Sequence, residues 1–160
     1  MEKIEYSEWV PAGALVKGLF AIVSSIIVVV TFAVFFFSEE LLVEDIFGVS
    51  MAWAILAILM LVFWNYRGLN IRINDEILTV QFGRFDKKSL SLKDISSCKK
   101  TKSFGRYLGA GVRAGLDGSI AYTTSFDIAV EVTPKKGRVF VFSSKNPERV
   151  CEIINQRKNI

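Results

Sequence analysis

Few side chains in this sequence are of the types that carry out catalysis or bind metal ions. The chain has 160 residues and contains no histidine and two cysteines, Cys98 and Cys151. Histidine is the commonest general base and the commonest metal ligand, and the spacing of the two cysteines matches no zinc site. Asp94 precedes a predicted strand, but spacing ties no second acid or nucleophile to it. The sequence therefore predicts a protein that is not an enzyme, with no catalytic residue, no cofactor and no metal ion.

Five glycines lie close together in the second half of the chain, at positions 105, 109, 111, 115 and 118. A glycine-rich loop can hold the phosphates of a nucleotide, but such loops end in Gly-Lys-Ser or Gly-Lys-Thr and lead into a helix. This stretch lacks that ending, and the segment after it has the pattern of a strand. We therefore expect a loop with tight bends, where glycine relieves backbone strain.

Basic residues form three groups in the second half of the chain. Two of the groups hold the candidate contact residues, which are Lys99, Lys100, Lys102 and Arg106 in one and Lys135, Lys136 and Arg138 in the other. The third group holds Lys87, Lys88 and Lys93. Two interpretations remain open: the bases contact anionic lipid headgroups or a partner, or they are solvated side chains of strand edges, where lysine prevents pairing with other sheets.

The charge is divided unevenly along the chain. The net charge of +4 combines −5 for residues 1–66, which hold two bases and seven acids, with +9 for residues 67–160, which hold eighteen bases and nine acids. This asymmetry indicates an anionic surface or partner for the second half. A nucleic acid is not expected, because the aromatic residues there alternate as core residues do and leave no exposed face for stacking: Phe82, Phe85, Phe140 and Phe142.

Two uncharged segments in the first half are long enough to cross a membrane. Residues 18–37 and 46–64 are runs of 20 and 19 residues without a charge. At about 1.5 Å per residue, each run spans roughly 30 Å, the thickness of the hydrocarbon core of a bilayer. In lipid a helix satisfies all of its own backbone hydrogen bonds, whereas a lone strand does not. The sequence therefore predicts a transmembrane hairpin in residues 1–67, with helices at about 13–37 and 46–65.

The flanks of the two runs predict the orientation of this hairpin. The connecting residues 38–45 hold four acids and no base, whereas Lys17, Arg67 and Arg72 lie at the opposite ends of the runs. Basic residues near helix ends remain on the cytoplasmic side. We expect a multi-pass protein of the inner cell membrane with both termini in the cytoplasm. In that reducing compartment, Cys98 and Cys151 are expected to be free, small apolar residues of the core.

The sequence after Arg67 changes to the alternating pattern of strands. Seven short strands are predicted, at residues 69–73, 77–82, around 90–92, 95–102, 119–124, 128–132 and 139–142. A helix follows, because Asn146 is a good N-cap and Pro147 suits the first helical position. Its apolar face would consist of Val150, Ile153 and Ile154. Residues 68–160 are therefore predicted to form a separate β-rich domain.

The order of these elements, together with three motifs, resembles the bacterial pleckstrin-homology-like (PH-like) domain family, in particular its short membrane-anchored members. The motifs are residues 104–113, residues 120–122 and residues 142–149, and the resemblance covers about residues 69–157. It implies a seven-stranded β-barrel or sandwich with a C-terminal capping helix, and it implies no catalytic residue. Residues 74–76 form an acidic turn where eukaryotic members carry bases, so recognition of inositol phosphates is not expected. The predicted fold class is a membrane α + β protein.

Three functions remain open on the sequence alone. The favoured one is a membrane-anchored module without enzymatic activity that binds a protein partner, or a second copy of itself, at the inner face of the membrane. The alternative is a domain that binds or senses anionic lipids through its basic groups. The third is an enzyme of an unrecognised type. Apart from the bilayer, the sequence identifies no particular partner.

Overall fold

The computed structural model describes residues 4–37, 42–102, 111–115, 117–125 and 128–157. The chain divides into two compact units. One is Ala14–Asn65, which we call the helical unit, and the other combines Met1–Gly13 with Tyr66–Ile160, which we call the β unit.

The helical unit consists of two long apolar helices. Helix α1 is Ala14–Phe37 and helix α2 is Val43–Asn65, and both are long and apolar enough to cross a membrane. Both predicted helices are confirmed. Helix α2 begins about one turn earlier than predicted, because Glu44 and Asp45 suit the positive N-terminal end of a helix. Asp45 also accepts a hydrogen bond from the backbone N–H of Leu42, at 3.2 Å.

Aromatic side chains join the two helices. The rings of Phe20 and Phe63 stack with their centroids 4.6 Å apart. The indole N–H of Trp53 donates to the hydroxyl of Thr31, at 3.0 Å. An indole N–H without a partner is costly in an apolar solvent, so this bond favours contact between the helices at Trp53 over contact with lipid.

The β unit contains two sheets and one helix in its described residues. The first sheet has the order β1-β2-β3-β4, all antiparallel, with β1 Ile4–Pro11, β2 Gly68–Asn74, β3 Ile77–Phe82 and β4 Asp86–Ser91. The second has the order β5-β8-β9-β7-β6, with β5 Ile95–Lys102, β6 Gly111–Ala114, β7 Ile120–Thr123, β8 Ile128–Pro134 and β9 Phe140–Ser143. Strands β7 and β9 are parallel, and the other pairs in this sheet are antiparallel. Helix α3 is Pro147–Arg157.

One apolar core lies between the two sheets and α3. Leu69 and Val80 from the first sheet and Phe140 from the second belong to the same buried cluster. Helix α3 adds its predicted apolar face to that cluster, since Val150, Ile153 and Ile154 are all buried. The prediction of two apolar helices followed by a β-rich region with a packed terminal helix is therefore confirmed.

The seven predicted strands are present, and the structure adds two that the sequence analysis missed. Strand β4 ends at Ser91, and Leu92–Asp94 forms a short 3-10 turn instead of continuing it. Strand β6 lies in the glycine-rich stretch. Strand β1 belongs to residues 1–67, which the sequence analysis grouped with the membrane helices, yet it pairs with β2 along its whole length. The structure thus gives the β unit a strand that precedes both helices.

A buried acid explains why the pattern of β1 was hard to recognise. Glu8 occupies an inward position next to Val10 and is only 8% exposed. Its carboxylate accepts hydrogen bonds from the Ser144 hydroxyl at 2.7 Å, the Lys145 backbone N–H at 2.6 Å and the Tyr6 hydroxyl at 3.1 Å. Burial, followed by the charge of Glu8, raises the pKa of Tyr6. Glu8 thereby attaches β1 to the segment that leads into α3.

A disulfide joins Cys98 of β5 to Cys151 of α3. The expectation of two free cysteines is therefore wrong, although both residues do pack at the core. Their Cα atoms are 5.3 Å apart, because α3 lies directly against β5. Sequence spacing could not predict this pairing, since it depends on where the terminal helix packs.

Candidate functional site

The chain enters and leaves the helical unit through two neighbouring strands. Strand β1 ends at Pro11, just before α1, and β2 begins at Gly68, just after α2. Pro11 pairs with Gly68, and the N–H of Ala12 donates to the carbonyl of Arg67 at 2.8 Å. We call this end of the β unit, where both covalent connections lie, the junction end.

Aromatic side chains pack tightly at the junction end. The ring of Trp9 lies on Gly68, where a Cβ atom would be only 2.3 Å from the ring. Tyr66, the first residue after α2, packs against Phe82 with ring centroids 5.2 Å apart. Its hydroxyl donates to Asp86 at 2.8 Å. Both connections to the helical unit are therefore held by specific contacts within the β unit.

A series of rings connects the junction end to the core. From Tyr66 it passes through Phe82, Tyr122 and Phe140 to Phe142, with successive centroids between 5.1 and 6.4 Å apart. Burial, and then the nearby charge of Asp86, raises the pKa of Tyr122. Because aromatic pairs add stability beyond their buried area, this series fixes the start of β2 to the centre of the fold.

The turn between β3 and β4 also lies at the junction end. Phe82 pairs with Leu69, and the N–H of Gly83 donates to the carbonyl of Gly68 at 3.5 Å. Gly83 has a φ of 67°, a conformation that glycine adopts without strain. We call residues 83–87 the β3–β4 tip. It presents three exposed side chains: Arg84, Phe85 and Lys87.

The expectation that Phe85 belongs to the core is wrong, because its side chain is 83% exposed. Phe82, Phe140 and Phe142 are buried as expected. Alternation counted backward from Leu90 brings Asp86, not Phe85, to the inner side of β4. Counting forward from Phe82 gives the same result, because Phe85 is an odd number of residues from Phe82 and lies in the turn before β4.

Two of the predicted contact residues on β5 are held by acids of neighbouring elements. Lys99 forms an ion pair at 3.0 Å with Glu131 of β8, whose side chain is only 6% exposed. Lys100 forms one at 2.8 Å with Glu148 of α3. The hydrogen bond and the charge of Lys100 lower the pKa of Glu148. These two lysines therefore do not form a purely cationic patch. Lys102 is exposed at the end of β5, and Arg106 lies outside the described residues.

The second predicted group lies at the opposite end of the β unit. Lys135, Lys136 and Arg138 are exposed in the turn between β8 and β9. The N–H of Lys135 donates to the carbonyl of Asp94 at 2.7 Å. Leu92 precedes Asp94 by two residues, and its N–H donates to the carbonyl of Glu76 in the β2–β3 turn at 2.8 Å.

This opposite end, which contains the β2–β3 and β8–β9 turns, we call the far end. It is separated from the junction end by the length of β2, about 20 Å at 3.3 Å per residue. Register also keeps Lys102 away from Lys135, because Lys102 pairs with Ile128 whereas Ile95 pairs with Pro134. The described members of the two predicted groups therefore do not form one continuous surface.

The four sheet edges differ in how they are protected. Glu8 and Glu5 attach β1 to the α3 region, the latter through an ion pair with Arg157 at 3.1 Å. The disulfide and the Lys100–Glu148 pair attach β5 to α3. Strand β4 carries Lys87 and Lys88, and lysine opposes edge pairing. Strand β6 pairs only with β7 among the described strands, and its Val112 is 41% exposed.

A shallow pocket of about 260 Å³ lies beside the start of α3, between Lys100, Ile128 and Lys145. The Lys100–Glu148 ion pair forms part of its wall. Within the described ranges, this pocket included, no three metal-ligating side chains lie close enough together to hold an ion.

No family model matches this chain, and no curated protein or solved structure is significantly similar to it. The resemblance to PH-like domains thus stays a prediction, and most of its first motif, residues 104–110, lies outside the described residues. The function is argued below from the geometry of the β unit.

Proposed function

We propose that the protein is a membrane-anchored binding module without enzymatic activity, whose β unit has a PH-like fold. In this proposal α1 and α2 cross the inner cell membrane and both termini are cytoplasmic. The edge of β6, which pairs only with β7 among the described strands, binds a strand of a protein partner or of a second copy. The single observation that carries the proposal is the contrast between β6 and the other three sheet edges.

Pairing at a free sheet edge is a general mode of protein recognition. Backbone N–H and C=O groups of an edge strand give affinity, and the side chains of alternate residues give specificity. In β6 the consecutive residues Val112 and Arg113 are both exposed, and neither is a lysine. The edges of β1 and β5 are less open to a partner strand, because contacts with the α3 region hold both strands. The edge of β4 is less open because it carries lysines.

The elements of the β unit support a PH-like fold. Two sheets of mostly antiparallel strands share a core, and α3 packs its apolar face across them. The separate strand orders of the two sheets in the described residues support the sandwich form of the predicted fold over the barrel form.

Two observations bear on the orientation, and they favour opposite answers. Lys17, Arg67 and Arg72 favour cytoplasmic termini, because basic residues are retained on that side. The Cys98–Cys151 disulfide favours an oxidising compartment, because disulfides are rare in the cytosol. A single cysteine at Glu40→Cys, in a variant with Cys98→Ser and Cys151→Ser, tests the proposal because position 40 lies in the connection between the two apolar runs. It should react with an impermeant thiol reagent in intact cells. Labelling only after the cells are broken would reverse the orientation.

The edge proposal is tested in full-length protein in native membranes. Val112→Lys should abolish chemical cross-links to the partner or to a second copy, because a lysine in an edge strand opposes pairing. Ile128→Lys is the matched control, since Ile128 is 40% exposed but lies on β8, an interior strand. Equal cross-linking of the parent and both variants would contradict the proposal.

The alternative, lipid binding through the predicted contact residues around Lys100 and Lys136, receives less support. Lys99 and Lys100 are paired with acids, and the group around Lys136 lies at the far end. The observation that favours contact with lipid lies instead at the β3–β4 tip.

A further inference from the structure

The β3–β4 tip exposes an aromatic ring to an unusual degree for the β unit. Phe85 is 83% exposed, whereas the other exposed large apolar side chains described there range from 36% at Ile77 to 42% at Trp9. A single exposed apolar residue needs no functional explanation by itself. Its position and its neighbours are what give Phe85 significance.

The position follows from hydrogen bonds and covalent connections within the β unit. The tip is bonded to Gly68 through the N–H of Gly83. Gly68 follows Asn65, the last residue of α2, by three positions, which is at most about 10 Å of extended chain. Whatever the orientation of the β unit, the tip remains close to the point where the chain leaves α2.

The side chains of the tip suit the surface of an anionic membrane. Phenylalanine accompanied by bases occurs on elements that insert at the boundary between headgroups and hydrocarbon. Arg84 and Lys87 lie on either side of Phe85 in the sequence and are both exposed. Bases in this position are attracted to anionic lipids, and arginine can bind a phosphate group with two hydrogen bonds.

We propose that the β3–β4 tip contacts the bilayer, with Phe85 in the headgroup layer and Arg84 and Lys87 on the phosphates of anionic lipids. This contact gives the β unit a third attachment to the membrane besides its two covalent connections. It depends on α1 and α2 crossing the membrane and is independent of the pairing proposed for β6. Of its residues, Lys87 belongs to the third predicted basic group, whereas Arg84 and Phe85 belong to none of the predicted groups.

The test uses full-length protein reconstituted in vesicles, with a nitroxide spin label at Phe85→Cys. The native disulfide leaves the added cysteine as the reactive thiol under non-reducing conditions. The matched control is Ile77→Cys, because Ile77 is also exposed but lies at the other end of β3. Power saturation with oxygen and with a polar nickel chelate then reports the depth of each label.

For each label, the ratio of collisions with oxygen to collisions with the chelate is measured in vesicles of phosphatidylcholine and phosphatidylglycerol. This ratio should be several-fold higher at position 85 than at position 77. Arg84→Glu combined with Lys87→Glu should reduce that ratio, as should pure phosphatidylcholine. Equal exposure of both labels to the chelate would overturn the proposal and leave Phe85 free for a protein partner. Equal depth at position 85 in both kinds of vesicle would overturn the requirement for anionic lipid.

Discussion

Bases lie at both ends of the β unit, but their surroundings differ. At the junction end, Arg84 and Lys87 flank the exposed ring of Phe85, next to the start of β2. At the far end, Arg157 binds Asp75 at 3.3 Å and Glu5 at 3.1 Å. A base at one end thus lies next to an exposed aromatic ring, whereas a base at the other end joins separate elements of the fold.

The pairing of β1 with β2 creates this difference between the ends. Because one strand leads into α1 and the other leads out of α2, both covalent connections lie at one end of the sheet. Turns at that end of the sheet lie near the two connections to the helices. Turns at the other end of the same strands lie about 20 Å away, which is the length of β2. The distance of a basic group from the two connections to the helices therefore depends on the end at which its turn lies.

Removal of β1 should have the largest effect, because it removes the strand on which this arrangement depends. A fragment of residues 66–160 should fail to fold cooperatively. Residues 1–13 joined by a short glycine-serine linker to residues 66–160 should fold. Loss of six or so backbone hydrogen bonds at about 1 kcal/mol each is comparable with the 5–15 kcal/mol that stabilise a typical domain.

Urea unfolding followed by circular dichroism measures this difference. A linked protein carrying Val10→Asp is the control, because it retains the chain but puts a charge in the core. A fragment of residues 66–160 that unfolds at the same urea concentration as the linked protein would show that β1 is dispensable.

Reduction of the disulfide should have the next largest effect, on the side of the β unit where α3 packs. The linked protein should lose about 2–4 kcal/mol of its free energy of unfolding in the presence of a reductant. A variant with both Cys98→Ser and Cys151→Ser should already be less stable, and reductant should leave it unchanged. A parent protein whose stability does not respond to reductant would mean that the bond is absent in solution.

Substitution of Gly68 should have a moderate effect at the junction end. Gly68→Ala puts a methyl group against the ring of Trp9, which must move, so we expect a loss of about 1 kcal/mol. Because Trp9→Ala removes the obstruction, the double variant should be more stable than the sum of the two single effects predicts. Additive effects in the double-mutant cycle would contradict the contact.

Substitution of Lys100 should have the smallest effect, on the pKa of one carboxyl group. Lys100→Met should raise the pKa of Glu148 toward its ordinary value, because the hydrogen bond and the charge are lost. Since the folded pKa is lowered, the pair contributes above the unfolded value of 4.5, and its contribution is lost as pH falls through the folded value. Carboxyl NMR titration measures this, with Lys102→Met as a control that should leave Glu148 unchanged.

The sequence predicted those parts of the fold that depend on local pattern. Both long helices, seven of the strands and the apolar face of α3 followed from periodicity, caps and the absence of charge. Strand β1 was missed because its inward Glu8 interrupts the apolar alternation and its partner β2 lies beyond both helices. The disulfide was missed because Cys98 and Cys151 are brought together only when α3 packs on β5.

The candidate sites were predicted less well, because the type of a residue does not show which side chains will lie next to it in the fold. Lys99 and Lys100 are part of a basic run in the sequence, but register and α3 bring an acid to each of them. Phe85 has an apolar side chain of the kind found in cores, but it lies in a turn and is exposed. Long-range pairing determined both outcomes.

The central claim is that the junction end lies at the bilayer surface and the far end does not. The most direct measurement uses the unmodified full-length protein reconstituted with a lipid that carries a photoreactive group in its headgroup, followed by mass spectrometry of the cross-linked peptides. We predict labelling of the peptide that contains residues 83–87 and no labelling of the peptide that contains residues 134–138. Labelling of the far-end peptide without labelling of the β3–β4 tip would contradict the claim.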